Sequence, residues 1–283
     1  MTGLIDTHTH LESFVRRGEL DATLAHAAAA GVGTLVTIGT AADDWGLYRD
    51  LAQAHPRRIR YSAGLHPCSV DAGWEQEVAQ LAGFWGRART LDAPSGGIRS
   101  AGPAVPPYPV ALGECGLDRF HLPKDAAAAE QLFAWQRAAF AAQLELARSL
   151  ACPVVVHSRG AFAECVDMVD ASGMDWAKVV FHCFTEGPAE ISELMRRGGW
   201  GSFTGIITYK SAANVREAAR VQGLERLMLE TDAPYLTPAP QRGKPNEPAY
   251  LRHTADFCAE LFGVDHARLA EITTRNARAF YRI

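Results

Sequence analysis

The sequence predicts an α/β fold of the (β/α)8 TIM-barrel type, on three observations. Short apolar, β-rich runs recur along the chain, segments of helical character separate them, and the residues able to do chemistry cluster at the ends of the runs. Eight runs can be drawn, at residues 4–8, 34–39, 60–66, 109–114, 153–157, 178–182, 199–204 and 226–232. The Ala-, Leu-, Glu- and Arg-rich stretches between them favour helix, most clearly at residues 126–151 and 211–221. Strands that alternate with helices form parallel sheets. Eight such units in a chain of 283 residues favour a closed barrel over an open doubly wound sheet.

The remaining segments fit that plan. Residues 248–282 read as two C-terminal helices broken near Gly263. Residues 92–109, DAPSGGIRSAGPAVPPYP, are dense in Pro and Gly and lack periodicity, so they read as a loop insertion before the fourth strand. The whole of 1–283 is expected to be one barrel domain.

Composition excludes several function classes. Hydrophobic residues at 48% and charged residues at 21% are the balance of a globular protein with a large core, needing no disulfide or structural metal for stability. A net charge of −4 argues against a simple basic module that neutralises phosphates. It leaves room for an enzyme in which bound metal and a local basic patch supply positive charge. The six cysteines contain no C-x-x-C pair, which disfavours thiolate zinc modules and thioredoxin chemistry. The N-terminal residues lack a signal pattern, and no run of about 18 apolar residues is present. The expected setting is reducing and cytoplasmic, without membrane association or an obligate protein partner.

The polar residues carry the functional argument. His8 and His10 end the first run, His66 the third, Glu114 the fourth, His157 the fifth, His182 the sixth and Asp232 the eighth. In a parallel barrel these C-terminal strand ends converge on one face, where active sites are built. His8 and His10 are two apart on an extended segment, so their imidazoles leave the same side. A lone histidine at a strand end is more often a hydrogen-bonded structural residue than a ligand. A His-x-His pair meeting further histidines and carboxylates at other strand ends points instead to metal.

The expected ligands are His8, His10, Glu114, His157, His182 and Asp232. Mixed nitrogen and oxygen donors suit Zn, Mn, Co or Fe, whereas Mg prefers oxygen and keeps several waters. The expected cofactor is one or two divalent ions, with Zn, Mn and Mg as the candidates. Six donors exceed a tetrahedral site and suit two ions sharing a carboxylate, with Glu114 as the natural bridge. Asp232 is expected to ligate and also to act as general base. His66, held extended by Pro67, is expected to contact substrate or shuttle a proton, with a structural role close behind.

Other residues have weaker claims. Glu230 either orients a ligand histidine or is a strand carboxylate paired with some cation. If the substrate is a phosphodiester, Arg159, Lys210 and Arg119 are the candidates to hold its oxyanions, with Arg242 and Lys244 behind them. Alternation points Cys115 and Cys183 away from the ligands that precede them, as small packing residues. His26, His55, His121, His253 and His266 fall on helices or loops, and most of them read as ordinary surface residues.

With these residues in place, the chain resembles the TatD-type deoxyribonucleases of the metal-dependent amidohydrolase superfamily. The matching stretches are IDTHTHLE at 5–12, AGLHP at 63–67, LGECGLDRF at 112–120, VVVHSRGA at 154–161, VFHCFTE at 180–186, GIITYK at 205–210, LMLETDAPYLTP at 227–238, RGKPNEP at 242–248 and TTRNARAFY at 273–281. The resemblance implies a (β/α)8 barrel, a divalent metal site, and hydrolysis of DNA phosphodiesters, often as a 3′-to-5′ exonuclease. It places metal ligation on the same six residues. Glu12 stands where the family commonly has Asp, and the 92–109 insertion is unusual and precedes Glu114. The alternative is a hydrolase of a small ester, lactone, amide or phosphoester on the same scaffold. A binding protein on a degenerate barrel fits less well, because no expected ligand is missing.

Overall fold

A computed structural model describes residues 3–91 and 108–283. Among these residues, eight parallel strands form one sheet in sequential order. They are β1 (Leu4–Thr9), β2 (Val32–Thr37), β3 (Ile59–Ala63), β4 (Ala111–Asp118), β5 (Val154–Arg159), β6 (Val179–Phe181), β7 (Trp200–Phe203) and β8 (Met228–Leu229). A parallel bridge from Thr9 to Ala233 joins the last strand segment to the first. Backbone bonds from Asp232 N to His8 O (2.9 Å) and from His10 N to Ala233 O (2.8 Å) close the ring beside it. The (β/α)8 barrel expected from the alternation is therefore present.

The helices are α1 (Glu12–Arg16), α2 (Leu20–Ala29), α3 (Ala42–Ala54), α4 (Trp74–Leu91), α5 (Ala126–Leu150), α6 (Phe162–Ser172), α7 (Pro188–Arg197), α8 (Ala213–Gln222), α9 (Leu251–Phe262) and α10 (His266–Tyr281). The long α5 shows why the chain forms helix there. Its Ala-rich interior costs little side-chain entropy. Asp125 caps its start by accepting from Ala128 N at 2.9 Å, and Ala151, at φ 52°, turns the chain out at its end. Gly263 separates α9 from α10 in the left-handed conformation, as the sequence indicates.

Two glutamines on the buried face of α5 place the loops that carry chemistry. Gln143 accepts from Leu65 N (2.8 Å) and donates to Leu65 O (3.1 Å). Gln136 accepts from Asp118 N (3.0 Å) and donates to Pro67 O (3.2 Å). Both amides are buried, so each paired group avoids a desolvation cost of about 1–3 kcal/mol. The backbone on both sides of His66, and the end of β4, are thereby tied to one rigid helix.

The apolar residues divide by strand alternation. Ile5, Val36, Val155, Val180 and Met228 fill the barrel interior, joined by Phe280 and Tyr281 of α10. Neighbours such as Leu4, Leu35, Val154, Val156 and Phe181 face outward into the layer between strands and helices. Tyr281 donates its hydroxyl to Thr7 O at 3.2 Å, so α10 plugs the lower end and leaves the polar chemistry to the upper one.

Two strand expectations need correction. β4 runs on to Asp118, which places Glu114 inside the strand, with a register shift between Leu112 and Cys115. The eighth strand is only Met228–Leu229, so Glu230 to Asp232 have left the regular sheet. Of the expected 92–109 insertion, residues 92–107 lie outside the described residues. No helix among the described residues is long and apolar enough to cross a membrane.

Candidate metal centre

All six expected ligands meet at the upper mouth of the barrel. His8 Nε2 and His10 Nε2 lie 3.3 Å apart, as the i, i+2 spacing requires. Asp232 Oδ1 is 3.2 Å from His10 Nε2 and 3.6 Å from His8 Nε2. Glu114 divides the remaining donors between its two oxygens. Oε2 faces His8 Nε2 at 3.3 Å, while Oε1 lies 2.6 Å from His182 Nε2 and 2.9 Å from His157 Nδ1. The centre forms one wall of an open cavity of about 790 Å³.

Burial opposes charge on Glu114, yet the imidazoles of His182, His66 and His8 hold its carboxyl well below the usual range. Asp232 is likewise lowered against its burial, chiefly by the bond to His10. His8 is lowered by burial and then by neighbouring His182. His10 is raised to about 9 although burial opposes it, because Asp232 holds its proton.

These residues fit a divalent ion. Nitrogen and oxygen ligands at about 2.0–2.1 Å from a tetrahedral ion lie about 3.3 Å from one another. The His8–His10, His8–Glu114 and His10–Asp232 separations of 3.2–3.3 Å match that edge, and His8–Asp232 is longer at 3.6 Å. Two ionised carboxylates face imidazole nitrogens at close range, and no thiol belongs to these groups. One group is His8, His10 and Asp232, and another is His8, Glu114 and His182.

Supporting residues orient the ring nitrogens. His157 Nε2 lies 3.0 Å from Asp118 Oδ2, which leaves Nδ1 facing Glu114. Glu230 accepts from Ser202 Oγ (2.5 Å) and Cys183 N (2.6 Å), and its Oε1 is 3.4 Å from His182 Nδ1. The structure thus places Glu230 beside the His182 ring, at ion-pair distance and without a hydrogen bond to Nδ1. His66 Nδ1 accepts from Cys68 N at 3.0 Å, and burial lowers the ring's basicity. The neutral ring therefore carries its proton on Nε2, which points at Glu114 Oε1 from 3.3 Å. His66 is a hydrogen-bond donor at the cavity wall.

The sequence assigns no role to Asp118 and an ordinary surface position to His121; in the structure His121 lines this cavity, and Asp118 lies buried behind it, bonded to His157 and His121. Asp118 shares a strand face with Glu114, because they are four residues apart on β4. Its carboxyl is held low against burial by hydrogen bonds from His157 and His121. Replacing Asp118 by Asn should lower metal affinity by about 10–100-fold, the usual cost of losing a carboxylate behind a ligand histidine. Equilibrium metal titration checks this; an unchanged affinity would contradict it.

The structure sorts the expected substrate contacts. Arg159 lines the cavity and stacks over the exposed Phe120 ring at 3.8 Å. Arg119 does not reach the centre: it pairs with Glu164 and stacks over Phe133 at 3.9 Å. Lys210 sits instead in a separate hollow with Tyr209 and Arg242. Lys244 bonds Gln241 Oε1 at 2.9 Å. Cys183 also departs from expectation, for its φ of 45° breaks strand alternation and brings it to the cavity wall. Cys115 is buried, as alternation requires. Glu12 lines the cavity and accepts from the Tyr48 hydroxyl.

Comparison with known proteins agrees with this geometry. The profile of the family described as TatD related DNase matches residues 5–282. An uncharacterized metal-dependent hydrolase of Escherichia coli (strain K12), YcfH, is 33% identical over 282 residues, covering 98% of this chain and 96% of its own. A protein of Rahnella sp. (strain Y9602) named 3'-5' ssDNA/RNA exonuclease TatD is 33% identical over 261 residues, covering 90% of this chain and 89% of its own. The crystal structure of YJJV, a TatD homolog from Escherichia coli K12, superposes with a TM-score of 0.83 at 25% identity, covering 99% of this chain and 98% of that one. A chain that carries the family pattern from end to end and folds into the same barrel belongs to the TatD-related DNase family, and is a metal-dependent hydrolase.

Proposed function

We propose that the protein is a 3′-to-5′ exonuclease acting on single-stranded nucleic acid, with DNA as the expected substrate. The observation that carries this reading is Glu114, whose two oxygens each face a different set of imidazoles at the wall of an open cavity. In this reading His8, His10, Glu114, His157, His182 and Asp232 hold one or two divalent ions, with Glu114 as bridge. Four imidazoles favour Zn or Mn over Mg. Bound there, such ions lower the pKa of water and polarise a phosphoryl oxygen.

The chain's own groups do the rest. Asp232 takes the proton lost by the attacking water. The His66 Nε2–H donates to an oxygen of the scissile phosphate. Arg159, held over Phe120, offers its guanidinium to a neighbouring phosphate. The comparison with the Rahnella exonuclease supports the polarity and the single-stranded substrate. So does the surface. Among the described residues, the exposed large apolar side chains are Phe120 (67%), Tyr235 (61%) and Val221; Tyr235 lines the cavity, and Phe120 packs against Arg159 of its lining. Exposed rings beside a phosphate site are stacking platforms for unpaired bases.

End-labelled single-stranded DNA and RNA, incubated with Zn²⁺, Mn²⁺ or Mg²⁺, should lose nucleotides stepwise from the 3′ end. No release under any of these ions would sink the reading and turn the search to small esters and lactones. Phe120→Ala and Tyr235→Ala should each raise KM for an oligonucleotide by about 5- to 100-fold, the equivalent of about 1–3 kcal/mol per stacked base. Hydrolysis of methyl p-nitrophenyl phosphate, which has no base to stack, should change little in either variant. Equal losses on both substrates would argue against stacking.

A further inference from the structure

Beside the six-donor centre, at the rim of the same cavity, three side chains from separate segments converge. Cys68 belongs to the turn after β3, Asp118 ends β4, and His121 follows in the next loop. Cys68 Sγ lies 3.5 Å from Asp118 Oδ2 and 3.5 Å from His121 Nδ1, and His121 Nδ1 lies 2.8 Å from Asp118 Oδ2. We propose that Cys68, Asp118 and His121 form a second site for one borderline-soft divalent cation of the Zn²⁺ or Co²⁺ class, completed by water and joined to the main centre through the Asp118–His157 hydrogen bond.

The distances carry the proposal. A tetrahedral ion holding sulfur at about 2.3 Å and nitrogen or oxygen at about 2.0–2.1 Å sets those ligands about 3.5 Å apart. Both sulfur edges of the triad already have that length. The nitrogen–oxygen edge, 2.8 Å, must open by about 0.5 Å to reach the tetrahedral value. His121 supplies that movement, because its ring is half exposed and lies in a loop.

The anchor of the site is rigid and its mouth is open. The Asp118 carboxylate is fully buried, with Oδ1 fixed by His121 N at 2.8 Å and Oδ2 by His157 Nε2 at 3.0 Å. Gln136 of α5 fixes the Asp118 backbone. Cys68 and His121 are exposed, so the ion enters from solvent and keeps water in its remaining position. On binding, the thiol proton of Cys68 leaves to solvent and His121 coordinates through Nδ1 with its proton on Nε2. The thiolate separates this site from the main centre by softness: it selects Zn²⁺ or Co²⁺ and disfavours Mg²⁺ and Mn²⁺.

The test is spectroscopic and does not depend on nuclease activity, so it stands even if no nucleotide is ever released. Full-length protein first loaded with Mn²⁺ is titrated with Co²⁺, and thiolate-to-cobalt charge transfer is followed in the near ultraviolet. The band should saturate at one thiolate-bound Co²⁺ per chain, whatever further Co²⁺ the main centre takes up. Cobalt that displaces Mn²⁺ from the main centre contributes none, because that centre holds no thiolate. Cys68→Ser should lose the band completely, and His121→Ala should weaken Co²⁺ binding about 10-fold or more. Cys183→Ser, which removes the other thiol lining the cavity, should leave band and affinity unchanged. Thermal melting confirms that each variant is folded. The proposal is overturned by an absent band in the wild type, by a band that survives Cys68→Ser, or by one lost in Cys183→Ser.

Discussion

Glu114→Gln should cut kcat/KM by more than about 100-fold and lower the metal content of the purified protein. Loss of a group that merely orients a ligand costs about 10–100-fold, and Glu114 sits in the position of the ligand itself. The change is small in volume and large in chemistry. A carboxylate presents acceptors on both sides, one to His8 and the other to His157 and His182. An amide must turn an NH2 group toward one of those sets. That set then loses the negative charge that would hold a cation among its imidazoles. Elemental analysis together with steady-state kinetics reads both effects. Wild-type metal content with wild-type turnover would remove Glu114 from the centre.

Gly116→Ala should destabilise the protein by more than about 4 kcal/mol or prevent its accumulation in soluble form, an effect reserved for a few mechanisms. Gly116 pairs with His157 across β4 and β5, at φ 141°. A methyl group there would lie 2.0 Å from the carbonyl oxygen of His157. Strain at that φ and collision with backbone act together, and neither is relieved by rotating a side chain. The strands would have to part between Glu114 and Asp118, the two carboxylates that grip His157. Chemical denaturation and metal titration should therefore fail together. A variant with wild-type unfolding midpoint would show that β4 has more freedom than its pairing indicates.

The parts of this molecule that were legible in the sequence share a cause. Strand ends were visible because histidines and carboxylates interrupt runs of Val, Ile and Leu, and parallel topology then fixes where those ends meet. The six donor residues needed no further information. Asp118 and His121 are not legible in the same way, because the apolar run ends at Glu114 whereas β4 continues four residues beyond it. The glycines that carry it onward, Gly113 and Gly116, both adopt positive φ, which no apolar periodicity announces. Cys183 was misplaced for a related reason, since alternation holds only while the backbone stays extended. Charges carry no depth in a sequence. Arg159 reaches the cavity, while Arg119 is engaged by Glu164 and Lys210 lies in another hollow.

The seam that closes the barrel also orders events in time. Asp6 and Thr231, 225 residues apart, bond to each other at 2.6 Å, and Asp232 N binds the His8 carbonyl next to them. His8 and His10 precede their partner Asp232 by more than 200 residues. Closing so long a loop is slow, because its entropy must be met before any contact rewards it. Capture of a cation by His8, His10 and Asp232, as proposed above, would then be a late event, coincident with ring closure. Before the ring closes, the two histidines alone would form no finished cage; cation and shape would be acquired together.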